Sequence, residues 1–479
     1  MRRTAALVMA GATLAAAAPA AAQTTFPTTP PRPGPAAPVA PPTPVVRKLA
    51  NGLTVMYVRR AEVPTVQGTL VVRGAGSTDD PAEIPGLASF TASMLDEGAA
   101  GRSSLQLADA LETLGADLSA NAGWDATQVN LYALRGNFAE ALQLMADVVA
   151  RPDFPEREVS RLREERLTAL ARSRDEPSAI ANNAFPALVY GAQHPYGRFA
   201  TSEATRRLDR ARVQAFHAAR YRPESSTLVL VGDVEPGTMH PVVERALGAW
   251  RATGAAPAAT PALAAPTIAR SVVYLVDKPG AAQSQIRIGH PGVARNSPDY
   301  FALQVLNTIL GGSFTSRLNT NLREVHGWSY GAGSGYSMRQ NAGPFTAQAG
   351  VVTAKTDSSV VEFMRELSRI RTEPVTAEEL DKAKRYLALG FPQSVETNPQ
   401  VAGQLAGLVT YGIEPSFLST YVQRVMAVTV DDVRRVANQY VRPDNAVIVV
   451  VGDRSKVEAG LRAANVAPVE IREVAEFTK

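Results

Sequence analysis

The feature that most limits what this chain can fold into is a repeat. "RPESSTLVLVGD", Arg222 to Asp233, returns as "RPDNAVIVVVGD", Arg442 to Asp453, with every pair of positions 220 residues apart and no gap. Each copy is a Pro-led turn, an apolar β-branched run and a Gly-Asp stop, the pattern of a strand. Each follows a segment of helical period, "RARVQAFHAARY" or "VDDVRRVANQY". Upstream, "FPEREVSRLREERLTALARS" leading to "ALVYG" at Gly191 resembles "VTAEELDKAKRYLALGFPQS" leading to "GLVTYG" at Gly412, now 221 apart. Two copies are too few for a solenoid. The repeat therefore predicts one unit of roughly 210 residues used twice and packed into a two-lobed body.

An Ala- and Pro-rich, nearly uncharged stretch, Ala252 to Thr267, separates the copies and reads as a linker. The expected units are residues 46–251 and 270–475, joined by 252–269. Within a unit, "GLTVMYVRR" and "TVQGTLVVRG" are β-branched and Gly-bounded, hence strands. "QLADALETLGADLS" and "NFAEALQLMADVVAR" have helical period. Strands fall in adjacent pairs as often as they alternate with helices. That predicts an α+β fold of two homologous halves, each a largely antiparallel sheet packed with helices.

The first 23 of the 479 residues, "MRRTAALVMAGATLAAAAPAAAQ", have a charged start, an apolar run and a small-residue cleavage site. They read as a signal peptide, residues 1–22, on the ordinary secretory route to the periplasm. Residues 23–45 are Pro-rich and read as a disordered linker. The chain has no Cys, so neither a disulfide nor a lipid anchor is expected. The formal charge of +4 is mild and unclustered, which argues against nucleic acid. No later apolar stretch is long enough to span a bilayer.

Chemistry is sparse. "PGLASFTASMLDEGA", Pro85 to Ala99, reads as an amphipathic helix with Leu87, Phe90, Met94 and Leu95 on one face and the hydroxyls of Ser89 and Ser93 on its flank. The five histidines, His194, His217, His240, His290 and His326, are all more than twenty residues apart, and each reads as a packing or surface residue. In the second half, "TSRLNTNLREVHGWSY" predicts a helix from about Ser316 to His326, a Gly327 C-cap and a strand from Trp328 or Ser329. The reversal brings Arg323 and Tyr330 to one edge of a cleft. "LGGSFTSRL", Leu310 to Leu318, lacks the Gly-Lys-Ser/Thr ending of a phosphate loop, and its glycines suit a tight turn and close packing. "GAGSGYSM", Gly331 to Met338, is a candidate sheet edge for pairing with an extended peptide.

"LANGLTVMYV", "GLASFTASMLDEGAAGRSS", "HPYG", the duplicated "RP…VVGD" strand and "ILGGSFTSRLNTNLREVHGWSYGAGS" occur in this order along residues 46 to 475. Together they resemble the insulinase/pitrilysin-like metallopeptidases, the inverse zincins. The resemblance implies two homologous α+β halves forming a clamshell-like body around a cleft. Active members carry His-x-x-Glu-His on the first helix. Here that motif falls on Ser89, Phe90, Thr91, Ala92 and Ser93, and the third ligand position falls near Ala169. Catalytic zinc takes about three His, Asp, Glu or Cys ligands. No metal is expected in this chain, and the site residues Ser89, Ala92, Ser93 and Ala169 read as its degenerate remains.

The resemblance also implies a role for Arg323 and Tyr330: in the family an Arg and a Tyr at this spacing contact substrate near the scissile bond. Some members divide the work between a zinc-bearing chain and a zinc-free chain that keeps this pair. This chain resembles the second kind. The expectation is a zinc-free subunit that joins a homologous zinc-bearing partner to hydrolyse peptides, with the zinc in the partner. The other expectation is a structural or peptide-binding protein that keeps the fold and has no part in proteolysis.

Overall fold

A computed structural model describes residues 34, 41–257 and 263–478. The expected signal peptide, residues 23–33 and 35–40 of the Pro-rich tract and residues 258–262 of the expected linker lie outside the described residues.

The repeat becomes two six-stranded sheets. The first contains β1 (Val45–Lys48), β2 (Thr54–Arg59), β3 (Thr65–Arg73), β4 (Asp117–Ala122), β5 (Ala126–Leu134) and β6 (Ser226–Gly232), in the order β1-β2-β6-β3-β5-β4. The second contains β7 (Val272–Asp277), β8 (Gln283–Pro291), β9 (Ser329–Tyr336), β10 (Pro344–Val352), β11 (Val447–Gly452) and β12 (Val469–Arg472), in the order β12-β7-β11-β8-β10-β9. The orders match strand for strand. Only the outer strand differs, supplied by the N-terminal side in one sheet and the C-terminal side in the other. The pairing is antiparallel except for β2/β6, β7/β11 and β7/β12. This is the α+β architecture the sequence predicts.

One sequence expectation fails in detail. The helix read through "QLADALETLGADLS" stops at Thr113, and Asp117–Ala122 is a strand. Gly115, at φ +57°, breaks the helical run, and the alternating exposure of the next six residues fits an edge strand.

The central strands of each sheet are buried on both faces. On β6, Leu228 and Leu230 enter the core of the first half, while Val229 and Val231 face the other way. On β11, Ile448 and Val450 enter the core of the second half, while Val447, Val449 and Val451 face out. What covers the outward faces is an exchange. Helix Pro177–Tyr190 of the first half lies on β11 and β8 of the second through Ile180, Ala184, Phe185 and Val189. Helix Asn398–Thr410 of the second half lies on β3 and β6 of the first through Val401, Leu405 and Leu408. These two helices are the 221-residue repeat, and each ends at a glycine of positive φ, Gly191 at +75° and Gly412 at +64°.

Polar contacts reinforce the junction. Arg339 lies over the rings of Trp124 at 3.7 Å and Tyr196 at 4.4 Å. Asn341 N donates to Tyr196 Oη at 3.2 Å, and Tyr190 Oη donates to Ala342 O at 2.9 Å. The "HPYG" segment thus serves the seam between the halves.

Phe185→Ala and Leu405→Ala empty opposite sides of this seam. Each is expected to cost about 2–5 kcal/mol, the usual range for such buried truncations. Urea unfolding followed by far-UV circular dichroism should show a single transition at lower midpoint. Separate transitions for the two halves would contradict the coupling.

Candidate functional site

The helix that carries Ser89 and Ser93 is short, Leu87–Ser93. It starts at Gly86, whose φ of +99° suits glycine, and it is capped from a distance. Asp80 accepts from Gly86 N at 2.7 Å and Ala88 N at 2.6 Å. Burial pushes the Asp80 pKa up to about 6, against the lowering effect of those two bonds. Leu87, Ala88, Phe90, Thr91 and Ala92 are buried. The serine hydroxyls turn back on their own backbone: Ser89 Oγ donates to Gly86 O at 3.0 Å and Ser93 Oγ to Phe90 O at 2.9 Å.

The neighbouring helix Glu156–Ser173 sends in a cation. Arg166 Nη1 donates to Gly86 O at 3.0 Å and to Ser89 Oγ at 3.2 Å, and its guanidinium lies 5.1 Å from the Phe90 ring centroid. Burial lowers its pKa, and the Asp80 carboxylate nearby opposes that shift. Ala169, one turn further along, is exposed. These residues do not fit zinc. Ala92 and Ala169 offer no ligand atom, Ser93 is committed to its helix, and a donor-only guanidinium is bound to Ser89. Among the described residues no group of three or more His, Cys, Asp and Glu is placed to hold a metal ion. Of the nearest acids, Glu97 pairs with Arg161 at 2.6 Å.

The histidines sit in packing roles. His217 lies within hydrogen-bond distance of Val149 O, and His290 Nε2 accepts from Arg442 N. Burial lowers both to about 4. His194 Nδ1 accepts from Tyr196 N, His240 meets the Tyr57 hydroxyl, and His326 stacks on Trp328.

In the second half, the helix expected over 316–326 is present in altered form. A turn of α-helix, Arg317–Asn319, widens into a π-helical segment, Thr320–Val325, with His326 N bonded five residues back to Asn321 O. The Asn319 side chain ties the segment down, donating to Phe314 O at 2.6 Å and accepting from Ala332 N at 3.1 Å. Such widened turns are uncommon and gather at functional sites. Gly327, at φ +65°, makes the reversal, and β9 begins at Ser329.

Arg323 lines a cavity of about 470 Å³ over the outer face of β8, β10 and β9. Its guanidinium lies 4.6 Å from the exposed Phe314 ring, with Glu324 3.3 Å from Nε. Tyr330 occupies a bulge, where the pairing of β9 with β10 shifts between Ser329 and Ala332. Ser329 Oγ, donating to Gly350 O at 2.8 Å, holds the bulge, and Tyr330 is left 89% exposed. Bulges re-aim side chains in this way. Gly311 passes so close to β9 that a Cβ would lie 2.3 Å from Ser334 N. Strand β9, with "GAGSGY" in it, has a partner on one side only. No residue of helix Leu87–Ser93 lines the Arg323 cavity.

Three residues escaped the sequence reading. Arg166 acts across about 80 residues of sequence and left no local signal, and Asp80 caps a helix six to eight residues on, outside the spacing of an ordinary N-cap. Arg287 did leave one: in "QSQIRIGH" it is a charge inside an otherwise regular strand alternation.

Comparisons with known proteins agree with this architecture. The family model described as "Insulinase (Peptidase family M16)" matches residues 54–198, and the one described as "Peptidase M16 inactive domain" matches 207–387. An uncharacterized zinc protease of Mycobacterium leprae is 26% identical over 369 residues, 76% of this chain and 82% of the relative. A peptidase M16 inactive domain from Pseudomonas fluorescens superposes with a TM-score of 0.80 at 28% identity, covering 86% of this chain and 98% of that one. A protease from Helicobacter pylori shares the fold at a TM-score of 0.79 and 21% identity, covering 86% and 99%.

A pH test follows from Asp80. Its pKa is raised from 3.8 to about 6, so its contribution to stability is full below pH 3.8 and is lost as pH rises through 6. Relative to Asp80→Asn, the wild-type chain should gain stability between pH 7 and pH 4, by up to about 3 kcal/mol. Urea midpoints of both proteins at the two pH values measure the difference. A gain in the opposite direction would mean that the carboxylate is stabilised as an anion.

Proposed function

Because the chain belongs to the insulinase family of M16 peptidases, we propose that it is the zinc-free subunit of a periplasmic two-chain peptidase. A homologous zinc-bearing partner cuts the peptide, and this chain holds it. Arg323 and Tyr330 are the residues assigned to that work. Arg is a fixed forked cation and Tyr a donor on a stiff arm, suited to a peptide carbonyl and to the charge that develops on it. The free edge of β9 offers main-chain pairing to an extended substrate.

One observation carries the reading. The helix where the family places its metal motif is held by the Arg166 guanidinium, while the cavity that contains Arg323 stays open. Among the described residues no helix is long and apolar enough to cross a membrane. The curated relative of Mycobacterium leprae is called a zinc protease, and the zinc of that name is here assigned to the partner.

The test is reconstitution with a homologous chain that has an intact His-x-x-Glu-His motif. The pair should cleave peptides where neither chain does so alone. Arg323→Ala and Tyr330→Phe should each lower turnover by about 10²–10³, the range for losing one donor at a developing charge, with assembly unchanged. Cleavage unaffected by both variants would discard the role and leave a peptide-binding or structural protein.

A further inference from the structure

Among the described residues only two Lys or Arg side chains are buried, Arg287 and Arg339. They are compensated differently. Arg339 is sandwiched by Trp124 and Tyr196, with Asp125 adding an opposite charge. Arg287 has no such partner. Its Nη1 donates to the carbonyl of Ile286 in its own strand at 3.0 Å, and its Nη2 reaches Asn182 Oδ1 at a long 3.4 Å. Its Nε has no partner. No carboxylate among the described residues lies within ion-pair distance of it, and burial alone acts on its pKa, downward. A buried cation without a counter-ion is expensive, and an anion bound against it would offset that cost.

The surroundings supply the place for that ligand. Arg287 lines the same 470 Å³ cavity as Arg323, with the amides of Gln285, Gln348 and Asn319. In the sheet, Arg287 of β8 pairs with Gln348 of β10, which pairs with Gly333 of β9. The three stand in one row on one face. The row runs from the buried guanidinium past the Gln348 amide to the sheet edge, two strand spacings or about 9–10 Å away, where Gly333 leaves room for the Gly311 backbone, whose carbonyl oxygen lies 3.0 Å from where a Cβ would stand. The wall carries a second cation, Arg323, already shared with Glu324 and Phe314.

We propose that this cavity binds a carboxylate of the held peptide, with Arg287 as its anchor, so that the chain selects peptides bearing a free C-terminus or an Asp or Glu side chain there. The selection rests on the reading that this chain holds peptide in its second half. Arg287 is a specificity-determining residue in this role and takes no part in bond cleavage.

Binding to the whole chain without any partner tests it, by fluorescence anisotropy on four labelled unfolded decapeptides. They carry Glu or Gln at one position and end in a carboxylate or an amide, in all combinations. The wild-type chain should prefer at least one carboxylate-bearing peptide over the Gln-amide by tenfold or more, and the preferred arm identifies the source of the carboxylate. Arg287→Gln should reduce that ratio to near one. Gln348→Glu keeps Arg287 and gives it a carboxylate from the adjacent strand, so it should lower affinity for the acidic peptides selectively. Equal binding of all four peptides by the wild type, or an undiminished preference in both variants, would overturn the carboxylate site while sparing the peptide-holding role. No binding of any peptide would overturn both.

Discussion

The exchange of two helices between the halves is the interaction on which the rest of the structure depends. Val229 and Val231 on one sheet, and Val447, Val449 and Val451 on the other, would face water if each half stood alone. Helices Asn398–Thr410 and Pro177–Tyr190 cover them from the opposite half. Apolar burial is non-directional and scales with area, so two such faces joined at once give a seam that no single contact controls. The halves are therefore parts of one cooperative body. The exchange also decides what stays uncovered: on the second sheet it covers β11 and β8, while the outer face at β10 and β9 remains as the floor of the Arg323 cavity.

Around the first helix the positive charge is a guanidinium, that of Arg166. A metal site needs lone pairs aimed at an ion. Here Ser89 accepts from Arg166 and spends its proton on Gly86 O, and Phe90 offers its ring face to the same guanidinium. Asp80 caps the helix and balances part of the positive charge at the cost of its own desolvation. The helix keeps its place because its apolar side still packs. Its hydroxyls are structural, and the positive charge is covalently attached and cannot be removed by a chelator.

Much of this was legible from residues. The 220- and 221-residue offsets foretold two matched units, and the sheets repeat each other strand for strand. The apolar runs "TLVLVG" and "AVIVVVG" signalled strands, yet nothing local said that a helix covers their outer side or which one, because the cover comes from the other half. "DLSANA" was lost to the preceding helix, since its alternation is weak and only Gly115 marks the break. The π-helical widening before Arg323 depends on Asn319 bonding to Phe314 and Ala332, a tertiary effect with no periodic trace. Arg166 was invisible for a related reason, and the charge of Arg287, though visible within its strand, could not be weighed: a charge on a helix or in a strand reads as solvated until the fold shows what surrounds it.

The seam also limits how a complete active site can arise. Helix Leu87–Ser93 belongs to the first half, and the cavity with Arg323 is walled by the second. A hinge that carried one toward the other would have to strip Phe185 from the second sheet and Leu405 from the first, and to pull Arg339 from between Trp124 and Tyr196. Those groups are buried to nearly the degree of the cores themselves. Closure by hinge within one chain is thus disfavoured by the same contacts that make it stable. The open cavity, the free edge of β9 and the projecting Tyr330 therefore stay exposed without any movement of one half against the other.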